Sequence, residues 1–254
     1  MNTRVPAAAP GQNLPTAGEG SAYGWSADEA RPGARTAHTV VAVVTWAGFL
    51  LVTLLNLLDA YGPGGPSGEH VYGRNAAGWA GAFGRIADHL SYFTEWSNLV
   101  VAVAFTLLAR QPGKSTLLRR TLLASALLMI TVTAIVYRVL LAPTQVVTGW
   151  SVLTNPWQHI VVPALAVLVW LIWGPRGWLS TGVVLRAMVL PLLWIVWAMV
   201  RGAIVGAYPY GFLDTRTYGY GSVSVTLLGI LAFGLAVDAI FWLVDILLRR
   251  LQAR

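Results

Sequence analysis

Six long apolar runs, parted by short polar segments, dominate the chain at residues 39–58, 92–109, 121–142, 157–173, 183–205 and 223–248. Each is near the ~20 residues a helix needs to cross a ~30 Å hydrocarbon core. Spanning segments must satisfy their own backbone hydrogen bonds. The pattern therefore predicts an all-α fold: a polytopic membrane bundle of six transmembrane helices. The second and fourth runs are the shortest. The first starts near residue 38 and is too long for the apolar region of a signal peptide. Residues 1–36 are rich in Ala, Pro, Gly and Ser and read as a disordered cytoplasmic tail. The expected organisation is that tail, a transmembrane domain over 37–248 and a basic cytoplasmic C-terminus over 249–254.

Composition agrees with lipid as the solvent: 56% of residues are hydrophobic and 11% charged, against ~25% charged in soluble domains. The net charge of +7 is carried almost wholly by arginine, with Lys114 the one lysine. No basic stripe on a soluble face appears, so nucleic acid is not an expected partner. The charge reads as topogenic. Eleven basic residues fall in the tail, the 2–3 and 4–5 loops and the C-terminus, against three (Arg74, Arg85, Arg216) in the other loops. That bias places both termini in the cytoplasm. With no cysteine, thiolate catalysis and cysteine metal sites are excluded. The four histidines lack the HExxH spacing of a zinc hydrolase. No metal or cofactor is implied.

The threading then brings polar residues to one depth, on the outer side. The second span opens with "SYFTEWSN", where Thr94 and Asn98 share a helix face and Glu95 points about a quarter-turn away. Tyr137 and Arg138 fall near the outer end of the third span. Asn155, Gln158 and His159 begin the fourth, and Arg201 lies in the outer turns of the fifth. The 5–6 connector, "AYPYGFLDTRTYGYG", adds Tyr208, Tyr210 and Asp214. An intramembrane ionisable group costs at least ~2.5–3.5 kcal/mol unless it pairs or reaches water. So many at one level predict a hydrated, outward-facing cavity. Arg138 and Arg201 have Glu95 or Asp214 as candidate partners, or a carboxylate ligand. Asp238, deep in the sixth span, has Arg186 as its candidate partner. Each residue also has a structural reading. Thr94 suits an N-cap or a bond to its own i−4 carbonyl. His159 suits a carbonyl-bonded interfacial histidine, the arginines suit snorkelling to headgroups, and "YPYGFLD" suits a turn.

Three segments in order, "SYFTEWSNLVV", "HIVVPALAVLVW" and "YPYGFLD", make residues 38–248 resemble the bacterial branch of the androgen-induced membrane hydrolase family. Animal members hydrolyse fatty acid esters of hydroxy fatty acids with a threonine nucleophile and a histidine within the membrane. The resemblance implies Thr94 and His159 in those roles, a lipid-ester substrate and a bacterial plasma (inner) membrane. The chain departs from the family in the His159 to Pro163 spacing, at Val169 and at Gly211. A threonine hydroxyl needs a base within hydrogen-bond reach, and a neutral histidine suits that task. Asn98 or Asn155 would orient the histidine or donate to an oxyanion, and Arg138 or Arg201 would hold a lipid carboxylate. Two other readings use the same residues. One is a non-catalytic membrane protein that binds or moves a small lipid or anion. The other is a scaffold whose aromatic 5–6 connector meets a partner. Membrane lipids are the only partners expected in all three.

Overall fold

Hydrocarbon offers a backbone no water to bond, so each apolar run closes its own hydrogen-bond ladder. The computed structural model describes residues 31–61, 70–143 and 145–252. Among the described residues every regular element is helical. They are α1 (Ala34–Leu57), α2 (Ala82–His89), α3 (Phe93–Arg110), α4 (Leu117–Val136), α5 (Ser151–Pro156), α6 (Val162–Trp173), α7 (Thr181–Ala187), α8 (Val189–Val205) and α9 (Thr215–Gln252). A π turn over Tyr137–Leu141 continues α4, and another over Trp157–Val161 joins α5 to α6. Five helical stretches are long and apolar enough to cross a membrane, or six if the bent pair ending in α3 is one span.

Several boundaries differ from the sequence reading, each for a local reason. The expected tail falls mostly on residues 1–30, which lie outside the described residues. Its last part is not tail: α1 begins at Ala34, after a turn at Pro32 and Gly33. That turn is held against the end of α6, where Trp173 Nε1 donates to Pro32 O at 3.2 Å. The outer segment 60–90 contains α2, which meets α3 at a 72° bend. The fourth span runs over Ser151–Trp173, 23 residues, so it is not short. Its polar Thr154 and Asn155 and its Pro156 imitate a loop, yet Pro156 is the sixth residue of the helix, which runs on directly into the π turn behind it. The fifth span breaks at Met188, between α7 and α8. Pro191 has no N–H to give Ala187 O, and the Ser125 hydroxyl bonds that carbonyl instead, at 3.2 Å. The last span starts early, at Thr215, and kinks at Gly219, whose φ is 73°.

α4 is the central helix. In its apolar window 61% of residues are buried, against 33% or less in the other four single spans. Leu123, Leu127 and Ile130 of α4 pack against Phe105 of α3 and Trp170 of α6, with Phe241 of α9 completing that core. The outward faces are apolar too: Ile204, Val225 and Leu228 are all more than 60% exposed. In water such a surface would associate; against acyl chains it is the solvated face.

One end of the bundle is laced with polar contacts. Arg85 Nε donates to Asn56 O at 2.8 Å, capping the carbonyl end of α1. Tyr61 donates to Thr154 Oγ1 at 3.1 Å. The backbone of 70–72 pairs with that of Tyr208 through bonds of 2.8 and 3.1 Å, which clamps the first outer segment to the 5–6 connector. The Tyr208 ring lies flat on Gly202 of α8, where an added Cβ would stand 2.2 Å from Cε1. Its hydroxyl is tied to Thr215 Oγ1 at 2.5 Å, so the ring has nowhere to retreat. Gly202→Ala is therefore expected to destabilise by about 1–3 kcal/mol. Thermal unfolding of the purified protein checks this, and an unchanged midpoint would mean the connector is not docked.

Asp238 and Arg186 do not pair. Arg186 Nη1 donates to Gly182 O at 2.8 Å, and both Asp238 oxygens lack a partner among the described residues. Arg186 lies in the last turn of α7, whereas Asp238 is fully buried within α9.

Candidate active site

Two π turns face one another across the polar end. A π turn widens a helix by one residue and re-aims its side chains, and such turns recur at functional sites. Pro163 supplies the cause in the fourth span: it has no N–H for the carbonyl of His159, and its ring would strike that carbonyl in a regular α-helix. Trp157 anchors the widened turn by donating to Val44 O of α1 at 3.1 Å. The result points His159 at the start of α3.

There the Thr94 Oγ1 lies 3.2 Å from His159 Nε2. The other ring nitrogen, Nδ1, lies 2.9 Å from Asn155 O. A carbonyl only accepts, so Nδ1 carries the proton and Nε2 of the neutral ring is the acceptor. The threonine hydroxyl then donates to Nε2. Span threonines elsewhere in the bundle, Thr45, Thr53 and Thr106, donate to their own i−4 carbonyls. Thr94 sits too near its helix start for that alternative, since the Leu90 carbonyl is already taken by Trp96 Nε1. The Tyr137 ring stacks on His159 with centroids 4.0 Å apart and fixes the imidazole plane.

A second link joins the same helices one residue along. Gln158 Nε2 donates to Glu95 Oε2 at 3.0 Å, and both residues are buried. Glu95 Oε1 is 3.5 Å from His89 Nδ1, whose ring contacts Thr53 Oγ1 at 2.9 Å. Asn98 Nδ2 donates to Thr94 O at 2.8 Å rather than to the histidine. Its Oδ1 is buried without a partner among the described residues.

Tyr210 closes the site from the connector. Its hydroxyl is set against the Thr94 side chain and the backbone N–H groups of Phe93 and Thr94. Those two N–H groups open α3 and have no helical carbonyl to bond. Burial pushes the Tyr210 hydroxyl up to about 12, so it stays protonated and remains a donor. The rings of Tyr72, Tyr92 and Tyr210 follow one another at 6.0 and 5.6 Å, forming an aromatic cover.

Behind Thr94 opens a partly enclosed cavity. Its polar lining is confined to Thr94, Thr133, Tyr137 and Tyr210; the rest is apolar, with Phe93 and Trp194 among it.

The sequence-derived set thus divides. Thr94, Glu95, Asn98, Asn155, His159 and Tyr210 meet. Arg138, Arg201, Tyr208 and Asp214 do not. Arg138 is exposed on the π turn of α4. Arg201 pairs with Asp88 at 2.7 Å and lies 4.3 Å over the Tyr72 ring, so its partner is neither Glu95 nor Asp214. Neither arginine lines the cavity. Asp214 caps the start of α9, accepting from Arg216 N at 2.9 Å and from Thr217 Oγ1 at 2.5 Å, with His70 Nδ1 at 3.1 Å. Tyr137 and Gln158, which the threading places at this level without a role, belong to the site, and so does His89, which it does not single out. The first two adjoin Arg138 and His159 in sequence, a signal that was available. His89 gave none, because α2 was read as loop.

The Asp214 cap carries a pH dependence. Burial raises its pKa, but hydrogen bonds from the Thr217 hydroxyl, the Arg216 N–H and His70 outweigh this and hold the carboxyl below its usual range. A depressed folded-state value means the stabilisation is whole above the unfolded pKa of ~3.9 and fades as pH falls through the folded value. Melting midpoints taken from pH 6 downward should fall less steeply in Asp214→Asn than in the wild type. Parallel curves would remove the cap from the account of acid stability.

Against known proteins the chain finds no counterpart: no family model, no curated protein and no solved structure matches it.

Proposed function

We propose that this chain is an integral membrane lipid or acyl-ester hydrolase, with Thr94 as nucleophile and His159 as base. The observation that carries the reading is the 3.2 Å approach of Thr94 Oγ1 to a His159 nitrogen left unprotonated by the bond from Nδ1 to Asn155 O. The resemblance to the androgen-induced membrane hydrolase family implies the same pair. In this reading six spans cross a bacterial plasma membrane, with both termini cytoplasmic and the site near the outer surface.

Thr94 Oγ attacks the ester carbonyl carbon while its proton passes to His159 Nε2. The carbonyl oxygen becomes an oxyanion at the Phe93 and Thr94 N–H groups, donors at the positive end of α3, where it takes the place of the Tyr210 hydroxyl oxygen that they face in the resting site. Collapse breaks the ester C–O bond, and His159 returns its proton to the departing alkoxide. A water then gives a proton to His159 and attacks the acyl-threonine carbonyl. Breaking the Thr94–acyl bond releases a carboxylic acid and restores the hydroxyl. The Asn155 carbonyl stands where triads place a carboxylate: it fixes the tautomer and bears part of the imidazolium charge.

The apolar cavity beside Thr94 favours a lipid over a small anion, because no arginine or lysine lines it. A fluorophosphonate probe on the purified protein, followed by peptide mapping, tests the reading. An adduct on Thr94 is expected. Saturable lipid binding with no adduct would replace catalysis with lipid binding or transport.

A further inference from the structure

The cavity is long as well as apolar. Its wall on α4 runs from Tyr137, stacked on the histidine, to Leu128. Nine residues of helix at 1.5 Å rise span roughly 14 Å. On the facing side α9 contributes Leu227, Ile230 and, furthest from the site, Gly234. The cavity is partly open, and of its lining Leu141, Ile195 and Leu231, on three different spans, remain half-buried. A chain entering there from the bilayer has its polar end at Thr94 and its methyl end against Gly234.

A Cβ built on Gly234 would stand 3.4 Å from Leu128 Cδ1 and 3.9 Å from both Met188 Cε and Val132 Cγ2. These are ordinary contacts, so a methyl group is accommodated there. A larger side chain has only the cavity to enter. Val132, Leu128 and Met188 are themselves lining residues, so the space lost is space a ligand would occupy. We propose that Gly234 sets the longest alkyl chain this site accepts. The threading of that chain, head at Thr94, rests on the hydrolase reading; the length limit does not. At roughly 1.25 Å per extended carbon–carbon bond, ~14 Å holds about eleven carbons.

The test is displacement of a fluorescent dodecanoic acid derivative from the purified full-length protein by straight-chain carboxylic acids of six to eighteen carbons. Burial of each methylene is worth about four-fold in affinity. Wild-type affinity should rise with length and level off near eleven carbons. Gly234→Leu should level off about three carbons sooner, which is roughly 60-fold weaker binding of the longer acids. Met188→Ala removes bulk at the same end and should level off later. Opposite shifts separate a length limit from general damage, and Met188→Ala decides alone should Gly234→Leu not fold. One common plateau for the variants and the wild type overturns the proposal. A plateau that moves in a protein that hydrolyses no ester leaves Gly234 as the limit and removes Thr94 as nucleophile.

Discussion

Thr94→Ala is expected to lower ester hydrolysis at least ~10³-fold and to abolish fluorophosphonate labelling. The hydroxyl is the group that forms the covalent bond, and among the described residues it is the one hydroxyl bonded to His159 Nε2. Structural damage should be small. Thr94 gives its own helix only a backbone acceptor, which Asn98 uses through the main-chain oxygen and keeps in the variant. Thr94→Ser retains the nucleophile and should keep most of the activity. Turnover and probe labelling on all three proteins, with melting midpoints beside them, separate chemistry from folding. Full labelling of Thr94→Ala would end the nucleophile assignment.

The second large effect is at the base. His159→Ala should cost about 10²–10⁴-fold in turnover, with the hydroxyl of Thr94 intact but unassisted. The histidine also stacks on Tyr137, so a loss of packing is expected alongside the loss of a proton acceptor. His159→Phe keeps a planar ring for that stack and removes both nitrogens. If chemistry is the role, the two variants are equally inactive although the phenylalanine one melts nearer the wild type. Activity retained in either would reduce His159 to a structural residue.

Both predictions depend on contacts between residues far apart in the chain, and these set the boundary of what a sequence reading reaches. The membrane bundle and its apolar spans follow from composition and run length, because hydrocarbon forces any such run to be helical. The common level of Thr94, His159 and Tyr210 follows from alternate threading, and the three do converge. Sequence places a boundary wrongly where local chemistry misleads: Thr154, Asn155 and Pro156 look like loop yet lie inside the helix that opens the fourth span at Ser151. Amphipathic α2 is hidden in the sequence because eight residues behind Gly81, with Gly84 among them, resemble a connector.

Charge pairing was beyond the sequence. Arg201 had several acidic residues at its depth, and Asp88 wins because α2 bends sharply against α3 and brings it beneath the guanidinium. Asp214 was spent on a helix start, a demand fixed by where α9 begins. Run length and charge bias determined that the chain is helical and suited to a membrane, since solvation of the backbone acts residue by residue. The aim of His159, its tautomer and the cavity behind Thr94 were decided only by tertiary structure. Two widened turns and a central helix buried on most sides must pack before those distances exist.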